Sequence, residues 1–188
     1  MDFDLTGKML ISTPAMGDPR FSHSVILLCA HSPKGAFGLV LNRPIPNLQL
    51  AEILRQLEIA PPNDRIGERP VLAGGPVETA RGFVLHSDDV PGGEGSQPLE
   101  GGRVLTASTD ILAGIARGVE PQRWLLALGY AGWGGGQLEE EIAANAWLTC
   151  DAQDDLVFAG SMAEAQWQAA LQSIGIDPLR LSAVAGRA

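Results

Sequence analysis

The chain has 188 residues, of which 45% are hydrophobic, so it is long enough for one domain with a sizeable core and too short for two ordinary domains without a linker. Its 13 basic and 22 acidic residues give a formal net charge of −9, which disfavours contact with nucleic acid and with anionic membranes. We therefore expect a single domain over residues 1–188, with no direct nucleic-acid partner and no membrane partner.

The N-terminus and the cysteines both indicate a cytoplasmic protein. Met1–Asp4 is acidic where a secretory signal is basic, and no apolar run approaches the roughly 18 residues that a membrane helix requires. The two cysteines, Cys29 and Cys150, form no C-x-x-C motif. We expect two reduced thiols that pack as small hydrophobic groups, and no redox pair.

The first quarter of the chain predicts an antiparallel sheet. Strands are expected at Lys8–Thr13, Val25–His31 and Ala36–Asn42. Ser32–Gly35 has serine, proline and glycine at the positions that a type I turn favours, so the second and third strands should form a hairpin. The two prolines of Asn42–Pro46 cannot donate to a ladder, and they predict that the chain leaves the sheet there.

Two helices are predicted in the middle of the chain. Asn47 is expected to cap the first, which ends before the next pair of prolines. Its apolar positions recur at helical spacing and should face the core: Leu50, Ile53, Leu54 and Leu57. The second follows a strand at Val104–Ala107, is capped by Ser108 or Thr109, and ends at Gly118 as the left-handed terminal residue.

Further short strands complete the expected sheet. Pro70–Ala73 should be a strand with Gly82–His86 as its neighbour. Ser87–Gly102 is acidic, rich in glycine and proline and without periodicity, which predicts a mobile surface loop. Trp147–Cys150 and Leu156–Phe158 are the last two expected strands.

A helix is predicted near the C-terminus. Ser161–Glu164 matches the capping box, in which the serine and glutamate side chains satisfy free backbone donors of the first turn. Gly175 followed by Ile176 and a proline predicts the end of this helix. Its inner face should be formed by Ala163, Trp167, Ala170, Leu171 and Ile174.

The most distinctive stretch combines a buried strand, a glycine-rich loop and a helix. The strand is expected at Trp124–Tyr130 and the loop at Gly132–Gly136. Glu139–Glu141 in the following helix would repel a phosphate, and neither the P-loop pattern nor the dinucleotide fingerprint is present. We therefore expect these glycines to serve backbone shape. Trp133 is either a stacking surface for a ligand or a cover over a neighbouring strand.

Five segments together resemble the YqgE/AlgH family of bacterial proteins. They are LNRP (41–44), LAGGPV (72–77), GFVLHS (82–87), LGYAGWGGGQLEEEI (128–142) and NAWL (145–148). Short glycine motifs recur by chance but a collinear series of them does not, so the set is specific. The resemblance implies an α+β domain of bifurcated, coiled, mainly antiparallel β-sheets with flanking helices. It implies no known reaction and no site residues, although one branch of the family is labelled a transcriptional regulator of alginate production.

The histidines do not form a recognisable catalytic or metal-binding pattern. His86, Ser87 and Asp88 have the residue types of a hydrolytic triad, but neighbours along a strand point to opposite faces. His23 and His31 lie eight residues apart, without the spacing of metal ligands. We expect neither a metal nor a cofactor.

The most suggestive polar residues surround two places where the chain turns. Asn42 and Arg43 lie where a buried strand leaves the sheet, which is a usual place for a cleft. Gly74 and Gly75 could expose backbone amides as an anion-binding nest. If His86 joins them, the five residues would line a ligand-binding cleft. In the structural alternative, Arg43 bridges a carboxylate or carbonyl groups at a strand end.

The sequence is compatible with three functions. The first is a non-catalytic cytoplasmic protein that acts through an unknown protein partner and affects transcription only indirectly. The alternative is a small-molecule-binding protein or enzyme with a cleft near the five residues named above. The third, direct DNA binding, requires a basic face, which basic residues scattered singly along the chain do not supply.

Overall fold

The computed structural model describes residues 3–160 and 162–181, and this part of the chain forms ten strands and six α-helices. The strands are β1 (Lys8–Ser12), β2 (Val25–Ser32), β3 (Gly35–Val40), β4 (Pro44–Gln49), β5 (Pro70–Ala73), β6 (Val77–Ser87), β7 (Gln97–Leu99), β8 (Arg103–Thr106), β9 (Trp124–Gly134) and β10 (Trp147–Asp151). The helices are α1 (Leu50–Gln56), α2 (Asp64–Gly67), α3 (Asp110–Ala116), α4 (Gln137–Ala143), α5 (Asp154–Val157) and α6 (Ala163–Ser173).

The sheet divides along its central strand, β9. Its main path runs β10-β1-β2-β3-β9-β6-β8-β7, and every pairing on this path is antiparallel. The C-terminal half of β9 pairs with β3, whereas Ala127 and Leu128 in its N-terminal half pair with β5 in parallel. Gly74 lies at the fork, donating its N–H to the carbonyl of Leu128 and accepting from the N–H of Val40, both at 2.8 Å. The bifurcated, mainly antiparallel α+β architecture is thus confirmed.

The main sheet curls until its two sides meet. Gln97 on β7 donates from Nε2 to the carbonyl oxygen of Cys29 on β2 at 2.7 Å. Arg103, which is buried, donates to Asp154 and to the carbonyl of Ala152, and so ties β8 to the segment after β10. The result is a half-barrel with an apolar interior.

Three apolar clusters stabilise the half-barrel. The largest fills its concave side and includes Leu27, Leu85 and Trp167 of helix α6. The second packs α4 against the sheet around Trp133, and the third packs α1 and α3 against the other face of β6 and β9. Burial of such side chains contributes about 1.5–3 kcal/mol each, so these layers set the positions of the helices.

Several predicted elements are confirmed. The hairpin of β2 and β3 turns at Pro33 and Lys34, between the strand ends at Ser32 and Gly35. The ends of α3 and α6 are also as predicted, because Gly118 and Gly175 have φ values of 92° and 77°.

The prolines of Asn42–Pro46 predicted that the chain leaves the sheet there, and this prediction is wrong. Pro44–Gln49 forms β4, which pairs with β5 alone, and an edge strand tolerates proline because one side needs no ladder donors. The predicted cap at Asn47 is also wrong, because helix α1 begins after Gln49. There the backbone N–H of Gln49 donates to the Glu52 carboxylate at 3.1 Å.

Three other strand predictions are wrong. Leu156–Phe158 is not a strand, since α5 runs through Asp154–Val157. The neighbours of β5 are β4 and β9, and β6 is not paired with it. Strand β9 continues through Gly134 instead of ending at Tyr130, because its glycine-rich half pairs with β3.

The remaining two predictions concern a surface loop and the start of the C-terminal helix. The Ser87–Gly102 segment contains strand β7, and Leu99 within it is buried in the concave core. The capping box predicted at Ser161 lies outside the described residues, although the helix that it should begin is present as α6. Within residues 3–160 and 162–181, no helix is long and apolar enough to cross a membrane.

Candidate functional site

The side chain of Asn42 is fully used in holding the fold together. Its Oδ1 accepts from the N–H of Val25 at 3.0 Å, and its Nδ2 donates to the carbonyls of His23 and Ala163 at 2.8 and 2.9 Å. The residue is 2% exposed. Asn42 therefore connects the start of β2 to helix α6, and presents no polar atom to a ligand.

Arg43 matches the structural alternative more closely than the ligand-binding one. Its Nη2 donates to the carbonyl of Ser22 at 2.5 Å, and its own carbonyl accepts from the N–H of Ala73 at 2.7 Å. Burial lowers the pKa of the Arg43 guanidinium, with Asp18 opposing this effect. The side chain thus binds the backbone carbonyl of Ser22, close to the start of β2.

Gly74 and Gly75 are glycines because the backbone of β9 leaves no room for a side chain. A Cβ on Gly74 would lie 2.3 Å from the carbonyl oxygen of Gly129, and one on Gly75 would lie 2.0 Å from the carbonyl carbon of Tyr130. The Gly74 N–H is already bonded to Leu128. These contacts explain why both residues are glycines, and no anion-binding role is needed to account for them.

His86 lies away from the other four predicted site residues. It pairs with Trp124 at one end of β9, whereas Gly75 packs against Tyr130, six residues and thus about 20 Å further along the strand. The ring is fully buried, with Nδ1 2.9 Å from the Ser87 carbonyl and Nε2 2.8 Å from the Thr106 hydroxyl. Since a carbonyl only accepts, Nδ1 carries a proton and donates it to Ser87. The structure gathers the other four at the fork of the sheet and leaves His86 elsewhere.

The glycine-rich end of β9 is an aromatic packing site. Trp133 is 6% exposed and packs against Phe21 and Trp147, with ring centroids 6.4 and 6.1 Å away. Its indole N–H donates to Glu141 at 2.9 Å. Trp133 therefore covers the sheet and does not form a stacking surface for a ligand.

The thiols lack the environment of nucleophiles. Burial raises the pKa of Cys29 to about 12 and that of Cys150 to about 11, so both are protonated at neutral pH. In the described ranges, 3–160 and 162–181, no three His, Cys, Asp or Glu residues form a group that could hold a metal ion.

A cavity of about 520 Å³ lies beside His31, but both ring nitrogens of this histidine have partners. Nδ1 accepts from the N–H of Leu5 at 3.1 Å, so the proton is on Nε2, which donates to Glu139 at 2.8 Å. Asp4 lies 3.9 Å from Nδ1. His31 thus fastens the N-terminal segment to helix α4, and a base for proton transfer would first have to break one of these bonds.

A second concavity, of about 280 Å³, lies between helices α1 and α3 over the sheet. We call it the α1–α3 groove; its apolar lining includes Ile53, Leu57, Val84, Leu112, Leu126 and Leu128. The hydroxyl residues Thr106, Ser108 and Thr109 and the amide of Gln56 also line it, and none of the described residues that line it is charged. Leu57, the residue that follows α1, is 37% exposed.

Several residues that line this groove were predicted to lie on helix faces and strands, but not in a shared site. They come from separate segments between positions 53 and 128, and they carry no chemical signature in the sequence. The sequence offered one signal for the groove: Leu57 was predicted on the inward face of α1, where it should have been covered.

Comparisons with known proteins agree on one family. The family model described as AlgH-like matches residues 9–179. A UPF0301 protein of Ruegeria pomeroyi is 54% identical over 185 residues, covering 98% of this chain and 100% of that protein. A UPF0301 protein of a Jannaschia species is 53% identical, and the match covers 98% of this chain and 96% of that protein.

Two solved structures share the fold. The solution structure of the AlgH protein from Pseudomonas aeruginosa is 41% identical, with a TM-score of 0.79, and the match covers 99% of this chain and 97% of that one. A crystal structure from Corynebacterium diphtheriae has a TM-score of 0.70 at 22% identity, covering 89% of this chain and 85% of that one, and it supports the fold alone. The resemblance to the YqgE/AlgH family is therefore confirmed: this chain belongs to the AlgH-like family, together with these UPF0301 proteins and AlgH.

Proposed function

We propose that this protein is non-catalytic, and that it acts in the cytoplasm by binding another protein through the α1–α3 groove. The observation that carries the proposal is the open, uncharged lining of this groove, with Leu57 part-exposed at its edge. An apolar side chain of a partner would remove this surface from water, at about 25 cal/mol per Å². The protonated, unpaired Cys29 and Cys150 suit a reducing compartment.

The lining also supports one kind of occupant. A charged group placed in the groove would find no opposite charge and would lose its hydration, so the docking group should be aliphatic or aromatic. The net charge of −9 favours a partner whose flanking residues are basic. We propose an apolar side chain presented by a helix or turn of a partner protein, flanked by lysine or arginine.

The same charge argues against direct action on DNA. Affinity for duplex DNA depends on neutralising phosphates, and an acidic surface opposes it. An effect on transcription would therefore pass through the protein partner.

Affinity purification with groove variants tests the proposal. Ala80 is exposed and lines the groove, so Ala80→Trp should fill it without opening the core. Val119→Trp is the matched control, since Val119 is 53% exposed and is not among the lining residues. A partner that co-purifies with the parent protein and the Val119 variant, but is depleted at least tenfold with the Ala80 variant, supports the proposal. Equal recovery with both variants, at equal Tm, contradicts it.

A further inference from the structure

A third concavity, also of about 280 Å³, lies mainly on the other face of the sheet from the α1–α3 groove, and Ala107, just after β8, lines both. Successive residues of a strand point to opposite faces, so Gly82 and Val84 of β6 face the groove while Arg81 and Phe83 face this cavity. It lies where the two sides of the half-barrel meet, with Phe37 of β3 on one side and Gln97 of β7 on the other. We call it the seam cavity.

Aromatic rings form one wall of the seam cavity. Phe37 and Phe83 pack edge to face, with centroids 5.5 Å apart and planes at 62°. Tyr130 packs against both rings, with its centroid 4.8 Å from that of Phe37 and 6.1 Å from that of Phe83. A flat ring entering the cavity could continue this arrangement, since aromatic pairs favour offset or edge-to-face contact at about 4.5–7 Å.

Arg81 is the one charged side chain among the described residues that line the cavity. The guanidinium carbon of Arg81 is 5.0 Å from the centroid of Phe83, so the charge is held over the ring face. Arg81 is 53% exposed, and its one ion-pair partner among the described residues is Glu78, at 3.6 Å. This distance is longer than a hydrogen bond, so the planar fork of donors remains free for a closer anion.

We propose that the seam cavity binds a small aromatic carboxylate, with the ring against Phe37 and Phe83 and the carboxylate on Arg81. Its volume lies just below the roughly 300–1,000 Å³ of sites for drug-sized ligands, so the ligand has one ring or two fused rings. A carboxylate matches one guanidinium in charge and in bidentate geometry, whereas a phosphate dianion would face a single cation in a protein of net charge −9. A ligand here would occupy a different cavity from the docked partner, although Ala107 lines both.

Titration with matched probes tests the class of ligand. Binding to the full chain is followed by backbone amide NMR shifts, using benzoate, cyclohexanecarboxylate, benzamide and benzylamine. Benzoate should bind at least fivefold more tightly than each of the other three, with the largest shifts at β3, β6 and β7. Three results would contradict the proposal. Equal binding of cyclohexanecarboxylate would show that the aromatic rings do not recognise the ligand, and tighter binding of benzylamine would show that the site prefers a cation. The third is the absence of any shift with benzoate at saturating concentration.

Two substitutions with opposite effects test the assigned residues. Arg81→Gln should weaken benzoate binding about tenfold or more, because it removes a charge-assisted pair. Glu78→Gln should strengthen binding severalfold, because it removes the competing carboxylate. Arg117→Gln is the control for charge alone, since Arg117 is exposed at the end of α3 and does not line the cavity. The same loss with the Arg117 variant, or no gain with the Glu78 variant, would contradict the assignment.

Discussion

Trp133 donates its indole N–H to Oε2 of Glu141 at 2.9 Å, and Trp147 donates to the same oxygen at 2.8 Å. Both indoles are buried, so each N–H depends on this acceptor. Glu141→Ala would leave two buried donors unpaired and should lower the free energy of unfolding by about 3 kcal/mol. Glu141→Gln keeps an acceptor and should lower the free energy of unfolding by less than half as much. Urea melts of both variants measure this, and equal losses would show that the oxygen is not shared as described.

The glycine-rich segment makes a prediction about backbone shape. Gly136 has a φ of 78° with open space around it, whereas Gly134 has neither a positive φ nor a close neighbour. Gly136→Ala should therefore cost about 1 kcal/mol of stability from backbone strain alone, and Gly134→Ala should cost almost nothing. Thermal melts compare the two variants. If a nucleotide bound to the parent protein and was lost from a fully stable Gly136 variant, the segment would be a ligand site instead.

Asn42 makes a prediction about the C-terminal helix. Asn42→Ala removes the amide that bonds Val25, His23 and Ala163, and should destabilise the protein by about 3 kcal/mol. Because one of these bonds holds helix α6, limited proteolysis should cut before this helix sooner than elsewhere. Gln172→Ala, an exposed change on the same helix, should leave both stability and cleavage unchanged. Loss of stability without faster cleavage at α6 would argue against this linkage.

The two thiols make a prediction about pH. Their raised pKa values, about 12 for Cys29 and about 11 for Cys150, keep the reactive thiolate scarce in the folded protein. Alkylation of native Cys150 at pH 8 should be slow and should accelerate about tenfold per pH unit up to pH 10. Both thiols should react quickly in guanidinium chloride.

The same shifts affect stability with a defined sign. Folded pKa values above the unfolded value, about 8.5, mean that protonation favours the folded state. This contribution is complete below pH 8.5 and is lost as the pH rises towards 11 and 12. Rapid alkylation of native Cys150 at pH 8 would show that the thiol is not desolvated.

The sequence predicted elements whose signals are local. The hairpin at Ser32–Gly35 and the helix ends at Gly118 and Gly175 depend on residues within a few positions of each other, and all three are present. The failures arose where tertiary pairing overrides local preference. Pro44 and Pro46 are tolerated because β4 is an edge strand, and the glycines of β9 remain in the sheet because β3 pairs with them.

The candidate sites were harder to predict than the fold. Asn42, Arg43, Gly74, Gly75 and His86 were predicted to line one cleft, but the position of His86 and the bonds that occupy the other four are visible only in three dimensions. The α1–α3 groove and the seam cavity are built from residues far apart in sequence, on opposite faces of β6. No local pattern marks such a surface, because its residues also serve the core.

Site-specific photo-crosslinking in cells tests the central claim that the α1–α3 groove binds a protein partner. A benzophenone amino acid at position 57, on the edge of the groove, should crosslink to one defined protein, and the linked peptide should carry an apolar residue flanked by lysine or arginine. The same probe at position 119, outside the groove, should not give this product. An identical product from both positions, or no product from position 57 while the folded protein is present at normal abundance, would contradict the claim.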